Sequence, residues 1–153
     1  MWKLKNYRIY PESWGIALFL SIMLPNFMWM LLPAPVDILR RGTQTPLLDQ
    51  LISVIQVLMV AATCFLINRT YHPPVEQKNL IGICLSVFLY LFGWIFYYLG
   101  ITGWMVILIL SLTPSAAFVL FNKGRKNGFG YGLSWMFLIL HTLRGFLNYV
   151  IIF

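Results

Sequence analysis

The stretch LHTLRGFLNYV, from Leu140 to Val150, places three polar side chains inside an apolar run that reaches the last residue of the chain. His141, Arg144 and Asn148 stand at positions i, i+3 and i+7, so on a helix they share one face. An imidazole, a guanidinium and a carboxamide on one face can hydrogen-bond to a polar group or neutralise an anionic one. We interpret this face as part of a polar site.

The composition indicates where such a site lies. Hydrophobic residues make up 60% of the 153 positions and charged residues only 10%, and the mean hydropathy is +0.80. A typical soluble domain has about 25% charged residues. The chain is therefore predicted to be an integral membrane protein, with the lipid bilayer as its surroundings.

Five apolar stretches are each long enough to span a bilayer, which takes roughly 20 residues per helix. They cover residues 14–32, 47–67, 80–99, 101–121 and 132–153. The first stretch is longer than the ~7 to 15 residues of a signal-peptide core and lacks a small-residue cleavage site, so we interpret it as a retained helix. The predicted fold is all-α, a single domain over residues 1–153 with five transmembrane helices.

The positive charges predict the orientation of this bundle. Eight of the 11 Lys and Arg residues fall on one side: Lys3, Lys5, Arg8, Arg69, Lys78, Lys123, Arg125 and Lys126. The loops of the other side carry only Arg40 and Arg41. By the positive-inside rule the N-terminus is cytoplasmic and the C-terminus outside. The net charge of +7 then reflects attraction to anionic lipid rather than nucleic-acid binding.

Further polar residues are expected at the same membrane depth as His141, Arg144 and Asn148. Asn26 follows Pro25 in the first helix, and the second helix has Asp49, Gln56 and, deeper, Thr63 on one face. The third helix ends near Tyr97, and the fifth adds Ser134 to its polar stripe. We predict an outward-facing pocket between helices one, two and five. Its candidate ligand-binding residues are Asn26, Asp49, Gln56, Tyr97, His141, Arg144 and Asn148.

Arg144 limits how this pocket is built. An arginine near the middle of a membrane helix costs at least ~2.5 kcal/mol on insertion scales, so it should face a partner or water. Asp49 lies near the outer end of its helix, whereas Arg144 is about nine residues from the end of the chain. Direct pairing therefore requires the arginine side chain to extend outward.

Two functions are compatible with these residues. In the first, the pocket binds a small polar or anionic molecule or a lipid headgroup, as in a transporter or a receptor-like binder. In the second, the polar groups bond to one another and clamp the helices of a structural or accessory subunit. Such interhelical hydrogen bonds contribute about 0.6 to 2 kcal/mol each. For either function, the sequence leaves the identity of any protein partner open.

A third function, an intramembrane enzyme acting on lipid, is less favoured. The chain has no HExxH or GxSxG motif, and Ser134 lies ~10 Å along the helix from His141. Cys64 and Cys84 have no CxxC spacing, and His72 and His141 are separated by most of a bilayer in the predicted topology. We therefore expect no metal site and no cofactor.

Two segments have predicted architectural roles. The proline-rich LPAPVDILRRGTQTPLL, between the first two helices, is expected to form a short interfacial helix or a cap over the pocket. In the third helix, Gly82, Ser86 and Gly93 share one face, and small residues at such positions let helices approach closely. This face is predicted to contact another helix.

The motifs LPNFMW in the first helix and LHTLRGFLN in the last resemble those of small five-helix bacterial membrane proteins with no assigned function. The resemblance covers these two short motifs, and where this chain has Leu140 that group tends to have glycine. It implies a multi-pass protein of the bacterial cytoplasmic (inner) membrane. It also points to Asn26, His141 and Asn148, but implies no activity.

Overall fold

The computed structural model describes residues 6–70 and 75–149. Its five helices are α1 (Ser13–Leu31), α2 (Pro46–Phe65), α3 (Gln77–Tyr98), α4 (Trp104–Gly124) and α5 (Gly128–Tyr149). Two three-residue strands, β1 (Tyr7–Ile9) and β2 (Leu66–Asn68), pair antiparallel beside the first two helices. The predicted all-α fold with five helices is confirmed. The predicted end of the fifth helix, residues 150–153, lies outside the described residues.

Four of the helices, α1 to α4, are long and apolar enough to cross a membrane. Helix α5 has 22 residues, but its glycines and polar residues lower its hydropathy. Many large apolar side chains point away from the bundle, among them Leu58 and Phe88, which are 51% and 61% exposed. Helices satisfy their own backbone hydrogen bonds, so such an apolar exterior suits a hydrocarbon surrounding. These properties are those of a membrane protein.

The turn between α3 and α4 shifts one predicted boundary. Gly100 has a φ of +82°, a conformation that glycine adopts without steric cost. The N–H of Gly100 donates to the carbonyl of Tyr97, and that of Ile101 donates to Phe96. This C-terminal capping turn ends α3, so α4 begins at Trp104 rather than at the predicted position 101.

Helix α4 is the central element and contacts α3 and α5 most extensively. The glycines of α3 permit this close packing. A Cβ built on Gly93 would lie 2.9 Å from Cγ2 of Ile109, and one on Gly82 would lie 2.8 Å from Cδ1 of Leu120. Ile109 and Leu120 both belong to α4. The predicted contact of the small-residue face with another helix is therefore confirmed.

Helix α1 packs more loosely on the outside of the bundle. Gly15 approaches the backbone of Thr63 so closely that a Cβ there would meet its carbonyl oxygen. Over their whole lengths, the contact between α1 and α2 is far smaller than the contact between α5 and α2. The two helices therefore touch at the Gly15 end, and the sparse contact between them leaves space between α1 and the other helices.

The segment between α1 and α2 closes one end of this space. It contains a short 3-10 helix, Ile38–Arg40, and Ile38 is only 1% exposed. The N–H of Leu39 donates to the hydroxyl of Tyr97 at 3.0 Å, and the hydroxyl of Tyr98 donates to the carbonyl of Leu32 at 2.6 Å. We call residues 32–45 the cap segment.

Candidate ligand-binding cavity

A cavity of about 360 Å³ lies between α1 and the rest of the bundle. All five helices and Leu39 of the cap segment contribute to its wall, which is mostly apolar. The sequence prediction placed the pocket between helices one, two and five, but α3 and α4 also line it, through Tyr90, Trp94 and Ile107. Four of the seven candidate residues belong to the wall: Asn26, Gln56, His141 and Arg144.

Arg144 is paired with Asp49. Its Nε lies 2.5 Å from Oδ1 of Asp49, and the two side chains are 26% and 25% exposed. The guanidinium also lies 5.6 Å from the ring centroid of Tyr149. The sequence analysis expected that direct pairing would require the long arginine side chain to extend outward, and the structure contains the pair. Because the two charges compensate each other, the pair brings no net charge to the cavity.

Asn148 binds the cap segment rather than the cavity. Its Oδ1 accepts hydrogen bonds from the N–H of Gln44 at 2.7 Å and from the hydroxyl of Thr43 at 3.2 Å. Its Nδ2 donates to the hydroxyl of Thr45 at 2.9 Å. The carboxamide therefore holds the start of α2 against the end of α5.

Tyr97 has the same kind of role. It is fully buried, and its hydroxyl donates to Oδ1 of Asp37 at 2.9 Å. The Asp37 carboxylate also accepts from Nε1 of Trp29 at 2.9 Å and pairs with Nε of Arg40 at 2.9 Å. Asp37 was not among the predicted site residues, although a lone carboxylate in a proline-rich segment between two spans was the available signal. Together these bonds anchor the cap segment to α1 and α3.

Asn26 lines the cavity but is already bonded. Its Nδ2 donates to the hydroxyl of Tyr90 at 2.7 Å and to the carbonyl of Ile22 at 3.0 Å. The first bond ties α1 to α3 across the cavity wall. Gln56, in contrast, makes no side-chain hydrogen bond to the described part of the chain.

His141 and Trp94 are the two residues of the wall that have a buried side-chain nitrogen, Nδ1 and Nε1, without a hydrogen-bond partner among the described residues. The ring of His141 stacks on Phe137 with centroids 4.8 Å apart and planes inclined by 13°. Its Nδ1 is buried and has no hydrogen-bond partner among the described residues. Leaving a buried polar atom unpaired costs about 1 to 3 kcal/mol. Because Nδ1 has less than 1 Å² of accessible surface, a ligand in the cavity would remove that cost only after the imidazole ring turns this nitrogen toward it.

A second polar cluster, on the side of the bundle where α2 ends, joins three helices. Nδ2 of Asn122 in α4 donates to the hydroxyl of Thr63 in α2 at 2.9 Å and to that of Ser134 in α5 at 3.0 Å. All three side chains are at most 1% exposed. We call them the Asn122 cluster. The sequence singled out Thr63 and Ser134 but missed Asn122, which stands at the end of an apolar run, directly before the basic residue Lys123.

The Asn122 cluster also bears on catalysis and on metals. Ser134 donates to the carbonyl of Gly130 at 2.7 Å and is bonded to Asn122, so it belongs to this cluster and not to the wall that contains His141. No group of three or more His, Cys, Asp or Glu side chains that could hold a metal ion occurs within residues 6–70 and 75–149.

Comparisons of the chain with protein families, with characterised proteins and with solved structures found no match. Its function must therefore be argued from the cavity itself.

Proposed function

We propose that this protein is a membrane-embedded binder of a small, mainly apolar molecule with an uncharged hydrogen-bonding group. The ligand occupies the cavity between α1 and the other helices. A volume of about 360 Å³ falls in the range of roughly 300 to 1,000 Å³ that is usual for small-molecule sites. The observation that carries the proposal is His141 of this wall, whose Nδ1 has no hydrogen-bond partner among the described residues. The side chain of Gln56, also in the wall, makes no hydrogen bond to those residues either.

Charge decides between an anionic and a neutral ligand. The sequence alone favoured a polar or anionic molecule or a lipid headgroup, because Arg144 was expected to be partly free. Asp49 neutralises that arginine, so an anion in the cavity has to displace a carboxylate that is already in place. Burying a charge without compensation is far more costly than burying a hydroxyl or a carbonyl that is hydrogen-bonded. A neutral ligand therefore fits better.

The second candidate function is that of a structural or accessory membrane subunit. It is favoured by the number of candidate residues that bond within the chain. Five of the seven do so: Asn26, Asp49, Tyr97, Arg144 and Asn148. In this function the cavity is a packing defect and His141 has no ligand.

The proposed topology is five spans, with the N-terminus cytoplasmic and the C-terminus outside, in the bacterial inner membrane. The positive-inside bias supports the orientation. The fifth span is supported by the contacts at the two ends of α5. Just before α5, Nδ2 of Asn127 donates to the carbonyl of Leu66, where α2 ends, and Asn148 bonds the cap segment. A reporter after Phe153 should be active only outside the cytoplasm, and one near Arg125 only inside; the reverse would overturn this topology.

A cavity-filling variant tests the proposed binding. Val60 lines the cavity, whereas Val57, one turn away on α2, is 68% exposed on the outer surface. Val60→Phe should fill the space that the ligand needs, and Val57→Phe serves as the matched control. The measurement is native mass spectrometry of protein purified from its own membranes.

The wild type and Val57→Phe should retain a small molecule that Val60→Phe has lost. Replacement of the imidazole by His141→Phe should also reduce retention. If the wild type retains nothing and His141→Phe raises its thermal stability, the structural-subunit function is correct instead. Equal retention by both valine variants would place the bound molecule outside this cavity.

A further inference from the structure

We propose that the ligand is a single-chain lipid with a hydroxyl headgroup, such as a long-chain alcohol, and that it enters sideways from the bilayer between α1 and α2. This inference rests on the proposed function, because it concerns the occupant of the same cavity. Three observations support this inference: the shape of the opening, the position of the cap segment and the chemistry of the inner wall.

The opening lies between α1 and α2. Met30 lines the cavity and is also 65% exposed on the outer surface. Met23 of α1 and Gln56 and Val60 of α2 line the cavity and are partly exposed as well. The high exposure of Met30, a residue of the cavity wall, places the mouth of the cavity beside it, on the side where α1 and α2 face each other. Since both helices are long and apolar enough to cross a membrane, this mouth faces acyl chains.

The cap segment closes the alternative route along the bundle axis. Leu39 belongs to the cavity wall, and its carbonyl accepts a hydrogen bond from Tyr149 at 3.4 Å. Its N–H bonds to Tyr97, and Asp37 ties the same segment to Trp29. A water-soluble ligand would have to break these bonds, whereas a chain that comes from the bilayer would not.

The inner wall selects the headgroup. A hydroxyl donates one hydrogen bond and accepts others, so it matches an imidazole nitrogen in either role and also the carboxamide of Gln56. A carboxylate can only accept, and the guanidinium of Arg144, the cationic group of the wall, is already paired with the Asp49 carboxylate. An ammonium can only donate and meets the guanidinium. The apolar remainder of the cavity and its mouth then hold the chain.

Three photoactivatable probes of equal chain length test this inference. One ends in a hydroxyl, one in a carboxylate and one in an ammonium, and each carries a diazirine near its headgroup. The protein is reconstituted in vesicles of neutral phospholipid and labelled, and the modified residues are located by mass spectrometry. Phe88 on the outer face of α3, which is 61% exposed, reports the labelling due to surrounding lipid.

The alcohol should label the wall near Phe137 and His141 at least about tenfold more than either charged probe, the ratio that corresponds to 1.4 kcal/mol. All three probes should label Phe88 alike. His141→Phe should reduce cavity labelling by the alcohol, while Ile139→Phe on the exposed side of α5, where Ile139 is 60% exposed, should not. Met23→Trp should narrow the mouth and reduce labelling, with Leu20→Trp as its control.

The outcomes separate this inference from the proposed function. Equal cavity labelling by the three probes would overturn the hydroxyl specificity. Absence of cavity labelling by every probe, in a protein that still retains a small molecule during purification, would overturn entry from the bilayer. Absence of both labelling and retention would overturn the proposed function itself.

Discussion

The Asn122 cluster offers the sharpest test of what holds the helices together. The hydroxyl of Thr63 donates to the carbonyl of Met59, and that of Ser134 donates to Gly130, both at 2.7 Å. Each hydroxyl oxygen can therefore still accept a hydrogen bond. The carboxamide nitrogen of Asn122 donates to both oxygens. Asn122→Leu removes both interhelical bonds without introducing a charge. Asn122→Asp also removes both donors and adds a carboxyl group.

The expected losses follow from these bonds. Interhelical hydrogen bonds in membrane proteins average about 0.6 kcal/mol, with a maximum near 1.7. Two of them predict a loss of about 1 to 2 kcal/mol in the free energy of unfolding of Asn122→Leu. In Asn122→Asp the carboxyl group faces two acceptors in a dry interior, and a charged aspartate adds about 2.5 kcal/mol or more on insertion scales. That variant should lose about 4 kcal/mol.

The measurement is reversible unfolding in bicelles, followed for the two variants, for Thr63→Val and for the double variant Asn122→Leu with Thr63→Val. The double-mutant cycle should give a coupling free energy of about 0.6 to 1.7 kcal/mol between the two positions. A coupling near zero, together with an Asn122→Leu variant as stable as the wild type, would refute the role assigned to this cluster.

Two further predictions concern the other contacts between helices. Arg144→Gln should lower thermal stability because it leaves the Asp49 carboxylate without its partner, at a cost of about 1 to 3 kcal/mol. Adding Asp49→Asn should recover part of the loss. A double variant that is less stable than Arg144→Gln alone would contradict this prediction. Gly15→Leu should loosen α1, since even a Cβ at this position would clash with the carbonyl oxygen of Thr63. Limited proteolysis should then cleave near α1 faster than in the wild type. Gly42→Leu is the control, because Gly42 has open space around it. Unchanged cleavage of Gly15→Leu would show that the contact between Gly15 and Thr63 is dispensable.

Several features of the fold follow from local properties of the sequence. Apolar runs of about 20 residues predict helices of membrane-spanning length, and the starts of α1 and α2 lie one residue from the predicted ones. The spacing of Gly82 and Gly93 predicts a close helix contact, and that contact is with α4. The length of a run and the periodicity of small residues can be read without knowledge of the neighbours.

The choice of partner for each polar residue could not be predicted in the same way. The sequence placed seven residues in one pocket, whereas the fold gives Asn148 and Tyr97 to the cap segment and lines the cavity with α3 and α4 as well. Asp37 and Asn122 were missed because each stands alone in its own segment. Asp37 has one partner nearby, Arg40, but Trp29 and Tyr97 lie on α1 and α3, and both interhelical partners of Asn122 lie on α2 and α5, so the neighbouring sequence does not reveal these contacts.

The sequence by itself determined the membrane class, the five helices and the face of α3 that packs. Each of these depends on the transfer of apolar side chains out of water or on close packing along one helix, which are properties of a single segment. Only the tertiary structure decided that Arg144 is neutralised by Asp49, while Nδ1 of His141 has no hydrogen-bond partner within residues 6–70 and 75–149. Those outcomes depend on the rotation, depth and divergence of several helices at once, and a shift of one turn, about 5.4 Å along a helix axis, would have exchanged the partners.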